Sequence, residues 1–357
     1  MIVAVLGAGS VALANACWMV KEGHEVRIWS ALEDERRELA AAGAIAFDGI
    51  AAGSSPVAVA RDARECMAGA DIVMIAAPAF AHDELIAAAA PHVTAGQLVV
   101  FHPVTGLSSI LMARELRKRN VKATIVDLST SLFTARRRGF STVKILKIKD
   151  SIDLATIPAS EAPAAVATLA SIFGARFRAE TNVLAISLNN HNPVYHVGPM
   201  LCNLSRVERA EESVFWDWIT PGVARLVKLV DDERLAVVRH HGTTQVPVDD
   251  YFRQAHGVKG ANLDEIFPAA TRKLGGPIGP HGFGHRFVLE DVPFGLVFFW
   301  SLGRAVGIEM PTTESLIQLT SAMWQRDFVA EGRTLARLGL DGLTPGQFNR
   351  AIEQGFA

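Results

Sequence analysis

The sequence predicts a doubly wound α/β domain with a parallel sheet, followed by a second, all-helical domain. Three observations carry that prediction. Short β-rich runs alternate with longer helical ones through residues 1–182. The β runs are apolar on both faces, as parallel strands covered by helices must be. Beyond about Val183 the strand signal gives way to helical spacing of apolar residues. The expected boundary therefore separates residues 1–182 from 183–357.

Each element follows from its local pattern. Ile2 to Leu6 is a continuous apolar strand, and Ser10 to Glu22 has helical periodicity. Glu25 to Trp29 is a second strand, and Val57 to Ala60 a short third one before a helix over Arg61 to Met67. Asp71 to Ala77 reads as a strand stopped by Pro78, and Asp83 to Ala90 as a helix closed by Pro91. Gln97 to Phe101 and Ala123 to Asp127 are strands around a helix near Ser108 to Arg119. Lys144 to Lys149 is one further strand, and Ala162 to Phe173 a further helix. In the second domain helices are expected near Asn203 to Phe215, Pro221 to His240, Asp249 to Ala255, Gly295 to Val306 and Thr313 to Trp324. The glycine-rich run from Lys273 to His285 is a loop.

Composition narrows the function classes. The 357 residues are 50% hydrophobic, enough for a proper core, with 35 basic against 37 acidic side chains. A formal charge of −2 offers no general pull toward nucleic acid or anionic membrane and favours a small-molecule partner. The three widely spaced cysteines, Cys17, Cys66 and Cys202, form no CxxC pair and read as buried thiols of a reducing, cytoplasmic compartment. Residues 1 to 20 carry no charge and could pass for a signal peptide or a membrane span. They lack a basic leader, the first charge being Lys21, and two glycines interrupt them. The apolar run from Val292 to Gly303 is too short to cross a bilayer.

Gly7-Ala8-Gly9-Ser10-Val11-Ala12 stands between the first strand and the first helix and has the GxGxxA form of a Rossmann dinucleotide fingerprint. Gly7 permits the tight turn, Gly9 lets a pyrophosphate approach the backbone, and Ala12 lets helix and strand pack closely. The helix start at Ser10 then offers N–H groups to the phosphates. An acid at the tip of the second strand would bind the ribose 2′-hydroxyl of NAD. Here the tip is Ser30, which leaves room for a 2′-phosphate within reach of Arg36 or Arg37, although Glu33 or Asp34 could serve NAD instead. The balance favours NADP. A solvated helix face explains the two arginines equally simply.

Histidine spacing does not point to a metal: His240 and His241 are adjacent, His281 and His285 lie in a glycine-broken loop, and no HExxH is present. The run Asn189 to Gly198, NNHNPVYHVG, concentrates imidazoles and amides in an apolar neighbourhood where the chain passes between its halves. Such groups are costly to bury without partners, which a ligand would supply. A second polar cluster, His285 to Gly295, holds Asp291 just before a Pro-Phe-Gly break. That carboxylate could orient an imidazole of the first cluster, or simply cap the following helix.

Five segments in order resemble the octopine/nopaline, or opine, dehydrogenase family. They are GAGSVALANA; PAFAHDELIAAAAPHVTAGQLVVFHP from Pro78 to Pro103; STSLFTARRRG from Ser129 to Gly139; NNHNPVYHVG; and HRFVLEDVPFGLV from His285 to Val297. The resemblance covers nearly the whole chain. It implies reductive condensation of an L-amino acid with a 2-oxo acid through an imine, driven by NAD(P)H. It implies a catalytic His196 at the end of the NPxxH pattern, its partner Asp291, and Arg286 as the residue that meets the nucleotide pyrophosphate. The cofactor side is then Gly7, Gly9, Ser10, Ala12, Ser30, Pro78 and Arg286. Asn192 and His191, with Arg286, are candidates for the substrate carboxylates. The chain departs from the family's pattern at FHPVTGLSS (Phe101 to Ser109), at Phe287 where tyrosine is common, and at Ser30 where some relatives carry an acid.

Two other readings stay open. A C=O reductase of 2-oxo or hydroxy acids would share the layout but would usually show an interdomain lysine, for which Lys228 in RLVKLVDDER is the nearest residue. A nucleotide sensor without turnover would not need His196, Arg286 and Asp291. Phe215, Trp216 and Trp218 could line an apolar amino-acid pocket or belong to the core. Glu211 and Glu212 could favour a basic amino acid or form a solvated face. The apolar C-terminal helices can pack within their domain or across a homodimer, and the sequence leaves both open.

Overall fold

The computed structural model describes residues 1–356, and the chain divides into two compact units. Residues 1–187 form one unit together with the segment after Asp341, and Leu188–Asp341 form the other. The first unit begins β1 (Ile2–Leu6), α1 (Ser10–Lys21), β2 (Glu25–Trp29), α2 (Glu33–Ala42), β3 (Ala44–Gly49), β4 (Gly53–Pro56) and β5 (Ala58–Val59). It continues with α3 (Ala63–Met67), β6 (Ile72–Ile75), α4 (His82–Ala89), β7 (Leu98–Phe101), α5 (Ser108–Lys118) and β8 (Thr124–Leu128). Then come β9 (Phe133–Gly139), β10 (Thr142–Ile148), β11 (Ile152–Ile157), α6 (Ala162–Phe173), β12 (Phe177–Ala179) and α7 (Val183–Leu188).

The main sheet has the order β12-β11-β8-β7-β6-β1-β2-β5. Strands β5, β2, β1, β6, β7 and β8 run parallel, and β11 lies antiparallel on β8. The connections reverse direction between β1 and β6, which is where doubly wound sheets bind ligands beyond the strand ends. Strands β1 and β6 are almost wholly buried, as their unbroken apolar runs require.

A second, four-stranded sheet of order β4-β3-β10-β9 lies on the other side of α1. Sequence reading found only β10 among its strands. The missing signals have a physical reason: β4 is Gly-Ser-Ser-Pro, and β9 ends in three arginines, so neither carries enough apolar residues to read as a strand. Ring contact between Trp18 and Phe133 and the bond from Ser55 Oγ to the Cys17 carbonyl (3.2 Å) tie this sheet to α1. A helix covered by sheets on two sides must be apolar all round, which explains the uncharged run that mimics a membrane span. Among the described residues, no helix is long and apolar enough to cross a membrane.

The second unit is built from α8 (Asn192–Cys202), α9 (Leu204–Glu208), α10 (Pro221–His240), α11 (Val248–His256), α12 (Leu263–Leu274) and α13 (Arg286–Leu289). A π-helical turn over Val292–Leu296 leads into α14 (Val297–Ala305), followed by α15 (Pro311–Trp324), α16 (Phe328–Glu331) and α17 (Leu335–Leu338). Helix α10 begins with Pro221 at its first position, where the missing N–H costs nothing. Its buried Arg234 pairs with Asp231 at 2.7 Å and also donates to the carbonyls of Leu188 and Val246. That bonding offsets the desolvation of both charges.

Three expectations change here. The polar run from Asn189 to Gly198 is not a linker for most of its length, because α8 starts at Asn192 with Pro193 in its first turn. The helix expected to reach Phe215 stops at Glu208, and Phe215–Trp218 form a separate 3-10 turn. The last helix, α18 (Pro345–Gln354), packs against β11 of the first unit rather than joining the helical unit. Its ends are sharply defined by a Thr344–Gln347 capping box and by Gly355.

Candidate active site

The first unit supplies a turn with the shape a dinucleotide needs. Gly7 has φ +123°, and its N–H donates to the Trp29 carbonyl at 2.7 Å. A Cβ there would lie 2.5 Å from the Ala76 carbonyl oxygen, so only glycine lets β1 turn against the end of β6. At Gly9 an added Cβ would meet nothing within 4 Å, so the backbone is open on that side to an approaching group. Gly9 is also the N-cap of α1, and no side chain caps the helix, which suits an anion at its N-terminus. Ala12 is fully buried. Pro78 follows β6 at the same end of the sheet as Gly7. His82 bridges this region, one ring nitrogen 3.0 Å from the Ala77 carbonyl and the other 2.9 Å from Ser108 Oγ. The histidine of the PAFAH segment thus frames the loop after β6.

The tip of β2 differs from the sequence reading. Ser30 is buried rather than open. Its hydroxyl donates to Glu35 at 2.5 Å and accepts the Leu32 N–H at 3.2 Å. Arg36 donates to the carbonyls of Ser30 and Ala31, and Arg37 pairs with Asp34 in solvent. Two residues that the sequence did not single out complete the corner. Arg137 of β9 pairs with Glu35, donates a side-chain N–H to the Ala8 carbonyl at 2.8 Å, and donates its backbone N–H to Ser10 Oγ at 3.0 Å.

In the second unit His196 and Asp291 meet, with His196 Nδ1 2.7 Å from an Asp291 oxygen and both side chains buried. The carboxylate accepts, so Nδ1 carries the proton and Nε2 is the ring's other pole. Their approach depends on two small features. Asp291 precedes the π-helical turn, and Gly295 on that turn packs directly on Pro193 of α8, where a Cβ would lie 2.1 Å from Pro193 Cγ. Pro193 is three residues before His196, so this contact sets the spacing of the pair.

An aromatic box encloses the imidazole. Phe287 stacks on it with ring centroids 3.6 Å apart and 16° between planes, while Tyr195 and Phe215 meet it at steeper angles. The backbone N–H of Phe287 donates to His285, which caps α13 and orients that ring. Burial pushes the Asp291 carboxyl up to about 7, with Arg286 pulling against the rise. Burial, helped by Arg286, holds His196 well below the ordinary imidazole value. The ion pair is therefore disfavoured relative to a neutral imidazole donating to the carboxylate.

The other candidates separate by location. Asn192 is one helical turn before His196 on the same face of α8, and its side-chain oxygen accepts the Tyr195 hydroxyl at 3.1 Å. His191 is buried instead, stacked on Tyr251 with ring centroids 4.2 Å apart and its Nε2 3.0 Å from the Val246 carbonyl. Burial pushes it down to about 3, so it reads as packing rather than as a cation for a substrate. Arg286 is half exposed and 3.5 Å from Glu290. Phe215, Trp216 and Trp218 are buried, with the Trp218 indole N–H on Ser213 Oγ at 2.9 Å, so core packing accounts for them. Glu211 is in a surface pair with Arg206. Cys17 and Cys66 are buried, but Cys202 is exposed, contrary to expectation. Among the described residues no cluster of His, Cys, Asp and Glu is arranged for a metal.

Comparison with known proteins follows the same division of the chain. Residues 2–126 match the NAD-dependent glycerol-3-phosphate dehydrogenase N-terminus, and residues 179–324 match the NAD/NADP octopine/nopaline dehydrogenase alpha-helical domain. Together with the glycine turn, this makes the chain an NAD(P)-dependent oxidoreductase. An opine dehydrogenase of Arthrobacter sp. (strain 1C) is 32% identical over 356 residues, 98% of each chain. The chain therefore belongs to the octopine/nopaline (opine) dehydrogenase family, whose enzymes act on CH–NH donors. Its fold is that of octopine dehydrogenase solved with NADH and L-arginine, at TM-score 0.82, 20% identity and coverage of 99% and 98%. A yersinopine dehydrogenase with NADP+ bound superposes at TM-score 0.75, with 15% identity and coverage of 99% and 98%.

Proposed function

We propose that this enzyme joins the amino group of an L-amino acid to the carbonyl carbon of a 2-oxo acid such as pyruvate and reduces the imine to an N-(1-carboxyalkyl) amino acid. The observation that carries the reading is the buried His196–Asp291 pair, an acid–base couple in a chain of this family. Bound NAD(P)H would supply the hydride, held through Gly7, Gly9, Ser10 and Ala12, with Ser30 and Pro78 flanking them.

The protein's part is orientation and proton transfer. Amine attack on the oxo-acid carbonyl gives a carbinolamine, whose hydroxyl must gain a proton to leave as water. Nε2 of His196 takes up the proton that the attacking amine sheds and returns it to that hydroxyl, while Asp291 holds the tautomer through Nδ1 and stabilises the imidazolium that forms transiently. Arg286 offers a cation beside the pair for an anionic group, a substrate carboxylate or the nucleotide pyrophosphate. Asn192, on the same helix face as His196, offers an amide to the substrate. A cytoplasmic setting suits the three free thiols, and a homodimer is compatible with this chemistry.

The C=O reductase reading finds no support at Lys228, whose ammonium bonds Asp232 at 2.5 Å on an exposed face of α10. The deciding experiment follows NADH and NADPH oxidation with pyruvate, with and without a panel of L-amino acids, and identifies products by mass spectrometry. Oxidation that needs both substrates and yields an N-carboxyethyl amino acid is expected. Oxidation with pyruvate alone, giving lactate, would refute the condensation.

A further inference from the structure

We propose that Glu35, clamped between Ser30 and Arg137, selects the nucleotide and makes this an NADH-preferring enzyme. The proposal deepens the dehydrogenase reading and rests on it. In a sheet of this topology the adenosine ribose lies at the tip of the second strand, next to the glycine turn. Here the tip is tied to that turn directly, through the Gly7 N–H on the Trp29 carbonyl.

The acid comes from an unusual place. It is not the residue at the strand end but one in the first turn of α2, five positions later, drawn back over the tip by the Ser30 hydroxyl. Arg137 holds its other oxygen, and the alternation of β9 explains why that arginine is available. Phe133, Ala135 and Arg137 share one face of the strand, and Phe133 packs on Trp18 of α1. Arg137 consequently reaches the glycine turn, whereas Arg138 faces the other way and pairs with Asp48.

The charges at this corner argue against a 2′-phosphate. Arg36 is bonded to backbone carbonyls, Arg37 to Asp34, and Arg137 to Glu35. A phosphate would have to break the Arg137–Glu35 pair and would then sit beside a carboxylate held in place by Ser30. A ribose 2′-hydroxyl, in contrast, can donate to Glu35 without disturbing either neighbour. Like-charge contact at a partly buried site discriminates strongly, so a preference of more than about tenfold is expected.

Calorimetric titration of the protein with NADH and with NADPH tests this without turnover. The wild type should bind NADH more than about tenfold more tightly. Glu35→Gln, which keeps the shape and removes the charge, should tighten NADPH and narrow or invert the ratio. Ser30→Ala, which removes one tether and spares the carboxylate, should shift the ratio part of the way and keeps the test open if the first variant does not fold. Equal affinity of the wild type for both nucleotides, or a ratio unchanged in both variants, would overturn the assignment while leaving the dehydrogenase reading intact. Failure of both nucleotides to bind would overturn both.

Discussion

Replacing Gly295 with alanine should separate the His196–Asp291 pair without touching either member. The new Cβ would lie 2.1 Å from Pro193 Cγ and 2.7 Å from Pro193 Cβ. Carbon atoms in contact sit about 3.5–4.0 Å apart, so the π-helical turn and α8 must part by roughly 1.5 Å. Most of that movement falls between His196 and Asp291, because Pro193 and Gly295 each lie about one turn from them. The 2.7 Å bond would then open to about 4 Å, beyond hydrogen-bonding range. Overpacking should cost about 1–3 kcal/mol of stability, which a denaturant midpoint would register. Turnover in the two-substrate assay should fall about 100-fold, in line with the cost of misplacing an acid–base group by an ångström. Nucleotide affinity, which rests chiefly on the glycine turn of the other unit, should change little. Gly346→Ala is the control: its Cβ meets nothing within 4 Å in α18, and activity should be retained. A Gly295→Ala enzyme with near-normal turnover would show that the close packing does not set the pair.

Further outcomes are expected from single changes. His196→Gln should reduce turnover about 100-fold or more with nucleotide affinity intact, and normal turnover would remove its role. In the wild type, turnover should rise with pH through about 7 as Asp291 ionises, and Asp291→Asn should lower the rate and abolish that rise. An unchanged profile would make the carboxylate structural. Asp127 is fully buried, its carboxyl pushed up to about 8 by desolvation against a bond from Ser109 Oγ. Its folded value lies above the ordinary 3.8, so the stability linked to its protonation is full below that value and lost as pH rises to about 8. Asp127→Asn should therefore gain on the wild type in urea midpoint between pH 5 and pH 9, and a pH-independent difference would contradict the cause.

The parallel strands were legible because burial on both faces leaves an unbroken apolar record, as in Ile72–Ile75. The glycine turn was legible because sterics demand glycine at Gly7 whatever the rest of the chain does. Of the second sheet only β10 was legible, since β4 and β9 carry few apolar residues and are held mainly by packing on one side of α1. Asp291 could be suspected as a partner for an imidazole because a polar residue before an apolar helix stands out. The competing cap reading fails because the Asp291 side chain makes no capping bond and is turned to His196 instead. His191 misled for the opposite reason: its buried ring is satisfied by Tyr251 and the Val246 carbonyl, partners that are distant in sequence.

The β2 tip shows most clearly how folding changes the groups that a local reading of a cofactor site has to work with. Ser30 taken alone is a small hydroxyl with two arginines a turn away, a combination that suits a phosphate. Folding changes the sign of that corner in three moves, each invisible from Ser30's neighbours. The hydroxyl turns toward Glu35, the adjacent arginines bond to carbonyls and to Asp34, and an arginine from residue 137 arrives to neutralise the carboxylate rather than a ligand. What remains at the tip is an acceptor with its cation already matched. Under the proposal that Glu35 selects the nucleotide, a corner so balanced would recognise a neutral donor such as a ribose hydroxyl and would resist an extra dianion, because no charge is left over to meet it.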